Sequence, residues 1–257
     1  MKVALVTASS TGLGAAIAET LAPDMRVVIN YSGNAERAAA VLSELEKIAG
    51  VDRTEPTQAR DIQPRFGIIK ADLRHQEDAK RLVMETIEMM GRLDVVVSNG
   101  GWTHARNFND LDQNVEDEDW VMCYDMNVRS HLTLLHTARQ YLRSSYGAFV
   151  TIASTAGVKP SGSSIPYSAS KAMQIHMVKC LAHAVGPEIR INSVSPGHLL
   201  TDWTKDFSKE TLEAVRDATA LKRYATVKDV AQAVKMLVYN NSITGHNLVV
   251  DAGFTAS

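Results

Sequence analysis

The chain is poor in the features that mark several classes of protein. Two cysteines, Cys123 and Cys180, stand in 257 residues, which leaves no disulfide framework to build. A formal net charge of -2 excludes a nucleic-acid partner held by a general basic field. No apolar run approaches the roughly 20 residues that a membrane helix needs. In the opening "MKVALVTASS" the apolar core, Val3 to Val6, is shorter than a secretory hydrophobic region and is expected to be a buried first strand. A reducing, cytoplasmic setting is therefore expected. What is present is ordinary globular material, 45% hydrophobic and 22% charged, in a length that suits one large α/β domain or two small ones.

Short runs rich in Val and Ile alternate with helical patterns. "KVALVT" (Lys2–Thr7), "RVVINY" (Arg26–Tyr31), "FGIIKA" (Phe66–Ala71), "LDVVVS" (Leu93–Ser98), "GAFVTIAS" (Gly147–Ser154), "IRINSVS" (Ile189–Ser195) and "HNLVVD" (His246–Asp251) are apolar on both alternations. That pattern suits strands covered on both faces. Helices are expected around 13–22, 34–49, 75–90, 117–143, 165–185 and 226–239. Such βα repeats predict a parallel, doubly wound sheet with helices on both faces. No composition break divides residues 1–257, so one domain is expected. The polar segment Gly50–Phe66 is expected as an exposed loop. A second irregular stretch, 101–116, follows the fourth strand, where long loops often carry function.

In such a sheet a ligand sits beyond the carboxyl ends of the strands. The first strand runs into "TASSTGLGAAIAETL", where Gly12 and Gly14 let the backbone approach a pyrophosphate and the following helix offers free N–H groups. Thr7, Ser9, Ser10, Thr11, Gly12, Leu13 and Gly14 are the expected nucleotide-binding turn. The second strand should end at the adenosine ribose, where an acidic residue would select NAD(H). Here Asn30, Tyr31 and Ser32 are uncharged and Arg37 is the nearest cation, so NADP(H) is expected in preference to NAD(H). Asp72, with Leu73 beside it, can reach the adenine edge or serve as an N-cap-like turn residue.

The stretch "SSIPYSASKAMQIH" places Tyr167 and Lys171 on one helix face. A lysine beside a phenol favours the phenolate and should lower its pKa from roughly 10. The pair is an acid–base device or a coincidence, since Tyr-x-x-x-Lys alone is common.

Together these segments resemble the short-chain dehydrogenase/reductase family over nearly the whole chain. The family's cofactor turn, Thr-Gly-x-x-x-Gly-x-Gly, appears as "TASSTGLG", with Ala8 for the first glycine. Its Asn-Asn-Ala-Gly appears as "SNGG", where Asn99 and Gly101 match while Ser98 and Gly100 depart. The catalytic series is complete as Asn127, Ser154, Tyr167 and Lys171, and "SPGHLLT" matches Pro-Gly-x-x-x-Thr.

The resemblance implies a single-domain Rossmann-type fold and hydride transfer between a nicotinamide and a carbonyl or secondary alcohol. Tyr167 would supply the proton, Lys171 would stabilise the phenolate and bind the nicotinamide ribose, and Ser154 would hold the substrate oxygen. Asn127 would position a relay water or, alternatively, bond to backbone. Asn99, Gly100, Gly101, Pro196, Gly197, Leu199 and Thr201 join the cofactor set, with Thr201 at the carboxamide. A substrate loop is expected around 198–222. Trp102, His104, His198, Trp203 and Phe207 are candidates to line a pocket for a hydrophobic or aromatic ketone, with packing or partial exposure as the alternative. The family commonly forms homodimers or homotetramers.

Three other readings compete with this one. A nucleotide-binding sensor, scaffold or non-redox catalyst on the same fold stays open through the Ala8 departure. His176, Cys180 and His183 share a helix face with zinc-ligand spacing, but Met173, Met177 and Leu181 beside them favour packing, so no metal is expected. A serine hydrolase lacks its Gly-x-Ser-x-Gly elbow.

Overall fold

The apolar runs pair into one sheet in the computed structural model, which describes residues 1–50, 64–204 and 208–256. Its strands are β1 (Val3–Val6), β2 (Arg26–Tyr31), β3 (Phe66–Lys70), β4 (Val95–Ser98), β5 (Ala148–Ile152), β6 (Arg190–Pro196) and β7 (Asn247–Val250). Every pairing is parallel, in the order β3-β2-β1-β4-β5-β6-β7. The register sets Ala4 against Val27 on one side and Val95 on the other.

Alternate residues of each strand feed two cores. Ala4 and Val6 face Ile17 and Leu21 of α1 (Gly12–Leu21) and Val234 and Leu237 of α8 (Val227–Tyr239), while α2 (Ala35–Ile48) adds Leu45. Val3 and Leu5 face Leu82 of α3 (Gln76–Met90), Leu134 and Leu142 of α5 (Ser130–Ser144) and Val178 of α6 (Ile165–Val185). Each fully buried Leu, Ile or Val contributes about 1.5–3 kcal/mol relative to exposure, which is why the central strands carry no polar alternation. β7, the last strand in the order, is only partly buried.

The helix ends follow local chemistry. Asn34 caps α2, Ser164 caps α6 with Pro166 in its first turn, and Thr226 forms a capping box with Asp229 at α8. The helix expected over 117–143 is interrupted. It divides into α4 (Asp117–Tyr124), a π-turn (Asp125–Arg129) and α5, with Ser130 N–H donating to the Asp125 carbonyl. A short helix, α7 (Lys209–Ala218), follows β6. Among the described residues no helix is long and apolar enough to cross a membrane. The loop expected within Gly50–Phe66 falls mostly on residues 51–63, outside the described residues.

Buried Asp94 locks the start of β1 to β4. Its carboxylate accepts from Val3 N at 2.8 Å and from the Arg92 guanidinium at 2.8 and 2.6 Å. Asp94→Ala would leave the Val3 N–H without an acceptor, so a loss of about 1–3 kcal/mol is expected from the urea midpoint; an unchanged midpoint would contradict this account.

Candidate active site

At the break in strand order, the connections after β1 and β4 leave in opposite directions and open a crevice at the carboxyl ends of the strands. A cavity of about 480 Å³ occupies it. One end is lined by the turn after β1 and the tip of β2, and the other by Ser154, Tyr167, Lys171 and the segment after β6.

The turn is built for an anion. Thr11 gives α1 no side-chain cap and the first turn carries no acidic residue, so the leading N–H groups keep their capacity for a ligand. Gly14 permits the contact between helix and strand, since a Cβ there would lie 2.3 Å from the Ala8 carbonyl oxygen. Ala8 has φ of 48°, a left-handed conformation that costs a non-glycine residue roughly 1–2 kcal/mol. Two asparagines hold it there. Ala8 N–H donates to Asn30 Oδ1 at 3.0 Å, and the Ala8 carbonyl accepts from Asn99 Nδ2 at 3.1 Å.

Asn30 therefore does not face the ribose position expected for it. It is 1% exposed, and its amide donates to the carbonyls of Tyr31, Ile69 and Ala71. Tyr31 and Ser32 do line the cavity. Thr7 and Ser9 are buried supports: Thr7 Oγ1 accepts from Asn99 and Gly100 N–H, and Ser9 Oγ joins Val6 O to Asn30 N–H. Asp72 takes the turn role, accepting from Arg74 N–H and its guanidinium, whose hydrogen bond holds the carboxyl below its ordinary value. Leu73 is buried against Gly100. Ser10, Thr11, Gly12, Leu13, Asn99, Gly101, Pro196, Gly197, Leu199 and Thr201 all reach the cavity wall.

The Tyr–Lys pair meets Ser154 at the end of β5. Ser154 hydrogen-bonds the Tyr167 phenol, and Ser154 Oγ also accepts from Ala156 N–H at 3.1 Å. The Lys171 ammonium lies 5.8 Å from the centre of the Tyr167 ring. Burial pushes the Tyr167 phenol up to about 12 and the Lys171 ammonium down to about 7. The phenol therefore does not stand below its ordinary value as expected: burial is the largest effect, and the Ser154 hydrogen bond opposes it. Tyr167 accordingly keeps its proton at neutral pH.

Asn127 sits in the π-turn, a geometry frequent at functional sites. Its Oδ1 accepts from Trp102 N–H at 2.8 Å, and its Nδ2 donates to the Trp102 carbonyl and Ser170 Oγ, both at 2.9 Å. The backbone-bonding alternative describes these contacts; one Oδ1 lone pair is left over.

The aromatic candidates divide. Trp203 and His198 line the cavity, Trp203 lying over Gly101 and His198 packing edge-on against Phe254. Trp102 instead packs against the core beneath α5. His104 does not line the cavity; it turns to Asp119, 3.0 Å away. Phe207 and part of the 198–222 loop lie outside the described residues. Sequence reasoning missed Thr103, Ala105, Ser161, Gly162 and Ser163, which line the substrate end. The only available signal was position: Thr103 and Ala105 lie in the irregular stretch after β4, and Ser161, Gly162 and Ser163 lie on the segment that joins Ser154 to Tyr167. His176, Cys180 and His183 are exposed on α6, and among the described residues no group of three or more His, Cys, Asp or Glu is placed to hold a metal.

Known proteins share this arrangement. A family model described as enoyl-(acyl carrier protein) reductase matches residues 7–255. The chain belongs to the short-chain dehydrogenase/reductase family. A curated member from Streptomyces violaceoruber, named for ketoacyl reductase 2 of the granaticin polyketide synthase, is 37% identical over 98% of this chain and 95% of its own. The 3-oxoacyl-[acyl-carrier-protein] reductase FabG of Staphylococcus aureus is 30% identical over 98% of this chain and 97% of its own. A Burkholderia cenocepacia short-chain dehydrogenase, solved with NADP, is 31% identical with a TM-score of 0.85, covering 99% of this chain and 98% of that one. As a member of this family the protein is an oxidoreductase that uses a nicotinamide cofactor. Against the family pattern, the Ala8 departure keeps the turn through the Asn30–Asn99 clamp.

Because Asn30 donates into three carbonyls, Asn30→Asp should not make a functional NAD(H) site. It should lower the melting temperature by several degrees, having set a carboxylate against Ile69 O and Ala71 O; a stable variant with gained NADH affinity would refute that role.

Proposed function

We propose that this protein is an NADP(H)-dependent ketone reductase acting on a hydrophobic or aromatic β-ketoacyl-type substrate. The observation that carries the reading is the convergence of Ser154, Tyr167 and Lys171 on the cavity that also holds the anion-binding turn. Bound NADPH would supply the hydride to the carbonyl carbon. Ser154 donates a hydrogen bond to the carbonyl oxygen, and Tyr167, still protonated at neutral pH, delivers its proton to that oxygen as charge develops. Lys171 stabilises the resulting phenolate and binds the ribose.

For the cofactor, the tip of β2 carries no carboxylate to repel a 2′-phosphate. Arg37, on the first turn of α2, has an exposed guanidinium 2.9 Å from Asp202. An exposed pair of this kind is worth little, so Arg37 can exchange Asp202 for a phosphate. For the substrate, Trp203, Ile152 and Ala105 give the far end apolar surface, with hydroxyls from Thr103 and Ser163. The names of the Streptomyces and Staphylococcus relatives support a 3-oxoacyl chain. Trp120, Val121, Tyr124 and Leu132, exposed on α4 and α5, support self-association as a homodimer or homotetramer. Two free cysteines suit a reducing, cytoplasmic setting.

Turnover is tested by loss of NADPH absorbance with a 3-oxoacyl thioester and, in parallel, a 2-enoyl thioester. Oxidation with the ketone alone is expected; oxidation with the enoyl compound alone would replace the reading by enoyl reduction. Tyr167→Phe should lower turnover by about 10²–10⁴-fold with NADPH binding nearly unchanged, and wild-type turnover in that variant would remove Tyr167 as the acid. Arg37→Ala should weaken NADPH binding about 10–100-fold in a fluorescence titration while leaving NADH binding unaffected. An equal loss for both cofactors would show that Arg37 does not read the 2′-phosphate.

A further inference from the structure

Lys171 is 3% exposed, and its ammonium makes no ion pair with a carboxylate among the described residues. Burying a charge this way is costly unless hydrogen bonds replace the lost water. Two do. Lys171 Nζ donates to the Ile152 carbonyl at the end of β5 and to Gln174 Oε1, each at 3.0 Å.

Gln174 lies one turn further along α6 and is 0% exposed. Its orientation follows from its neighbours. An ammonium only donates and a peptide carbonyl only accepts, so Oε1 must face Lys171 and Nε2 must face the Ile152 carbonyl, 3.1 Å away. The same Nε2 donates to Thr151 Oγ1 and approaches His131 Nε2 at 3.1 Å. Two amide hydrogens are shared among these three neighbours, and because Gln174 Nε2 cannot accept, an unprotonated His131 Nε2 suits the contact and the imidazole proton is assigned to Nδ1. From there it reaches Ser98 Oγ at 2.5 Å, with Thr151 Oγ1 at 3.1 Å. His131 is 1% exposed, and burial together with the Lys171 charge holds its pKa well below the ordinary histidine value, so it is neutral. Ser98, a departure from the family's asparagine, thus closes a buried chain that runs Ser98–His131–Gln174–Lys171.

We infer that Gln174 is a positioning residue for the Lys171 ammonium, its carbonyl oxygen held toward the lysine by His131 and Ser98 behind it. The inference rests on the proposed role of Lys171 in proton transfer. Gln174 fixes where the ammonium stands and favours its charged form. Two of the three ammonium donors are then committed, and the third is left for the cofactor ribose or the phenolate. The titratable groups around Lys171 are Tyr167 on its own helix, His131 from α5 and Cys123 from α4. None of them is a carboxylate, so the neutral amide is the principal side-chain acceptor.

The sign of the effect follows. Removing Oε1 disfavours the ammonium, so the lysine deprotonates at lower pH. Gln174→Met keeps the length and removes both polar atoms. Its kcat should fall about ten-fold, consistent with loss of a charge-assisted hydrogen bond. KM for the ketone should stay nearly constant, and the alkaline limb of the kcat–pH profile should move to lower pH. Gln174→Glu keeps an acceptor beside the ammonium and adds charge, so the limb should move to higher pH. Melting temperatures report whether either variant is merely misfolded.

A second readout needs no turnover: NMR titration of the Lys171 side chain in isotope-labelled protein, with its resonance identified by its loss in Lys171→Met. The lysine pKa should fall in Gln174→Met and rise in Gln174→Glu. Unmoved titrations in both variants, with any kcat loss tracking melting temperature, would overturn the inference and leave Gln174 as core packing. If the titrations move as stated while Tyr167→Phe turns over like wild type, the coupling stands and the assigned reaction fails instead.

Discussion

A lysine buried without a carboxylate beside it is the constraint around which this active site is arranged. Lys171 is almost fully buried, so the end of β5 and the interior face of α6 replace most of its hydration through the Ile152 carbonyl and the Gln174 amide. That requires α6 to lie hard against the segment after β5. Gly157 makes the approach feasible, since a Cβ there would fall 2.5 Å from the Lys171 carbonyl carbon. Ser168 Oγ, donating to the Ala156 carbonyl at 2.6 Å, fastens the same contact. Such a cation attracts whatever negative charge forms beside it. It stands beside a phenol that burial keeps protonated, so the pair holds a proton at the cavity wall.

The nucleotide end depends on a different compromise. Ala8 stands in a left-handed conformation, and the two asparagines that hydrogen-bond its peptide come from β2 and from the end of β4. Thr7 and Ser9 add side-chain ties from the same turn to those two strands. The local cost is offset by contacts distant in sequence, as is usual for strained backbone at ligand sites. Polar residues at the strand tips therefore serve the shape of the cradle, and fewer of them are free to touch a ligand than their positions suggest.

Much of this was legible beforehand. The seven strands, their parallel arrangement and most helices follow from apolar periodicity, because strands covered on both faces must be apolar on both alternations. The glycine turn, Tyr167 with Lys171, and the residues after β6 follow from motif spacing. The π-turn at Asn127 was not legible, because the apolar repeat from Asp117 to Arg143 is compatible with an unbroken helix. Its extra residue answers to contacts with Trp102 and Ser170, which lie on other elements. Trp102 and His104 were left between pocket and packing for a related reason: an aromatic after a strand suits either equally, and only packing chooses.

By itself, then, the order of residues determined the β/α alternation and which side chains would gather at the strand ends, because both are set by local periodicity and by topology. Tertiary structure alone decided the direction in which those side chains point and the charges they carry. Asn30 turns inward because Ala8, Tyr31 and the end of β3 together offer four backbone partners. Lys171 loses hydration because β5, α5 and α6 close over it, and desolvation depends on the whole shell rather than on any neighbour in sequence.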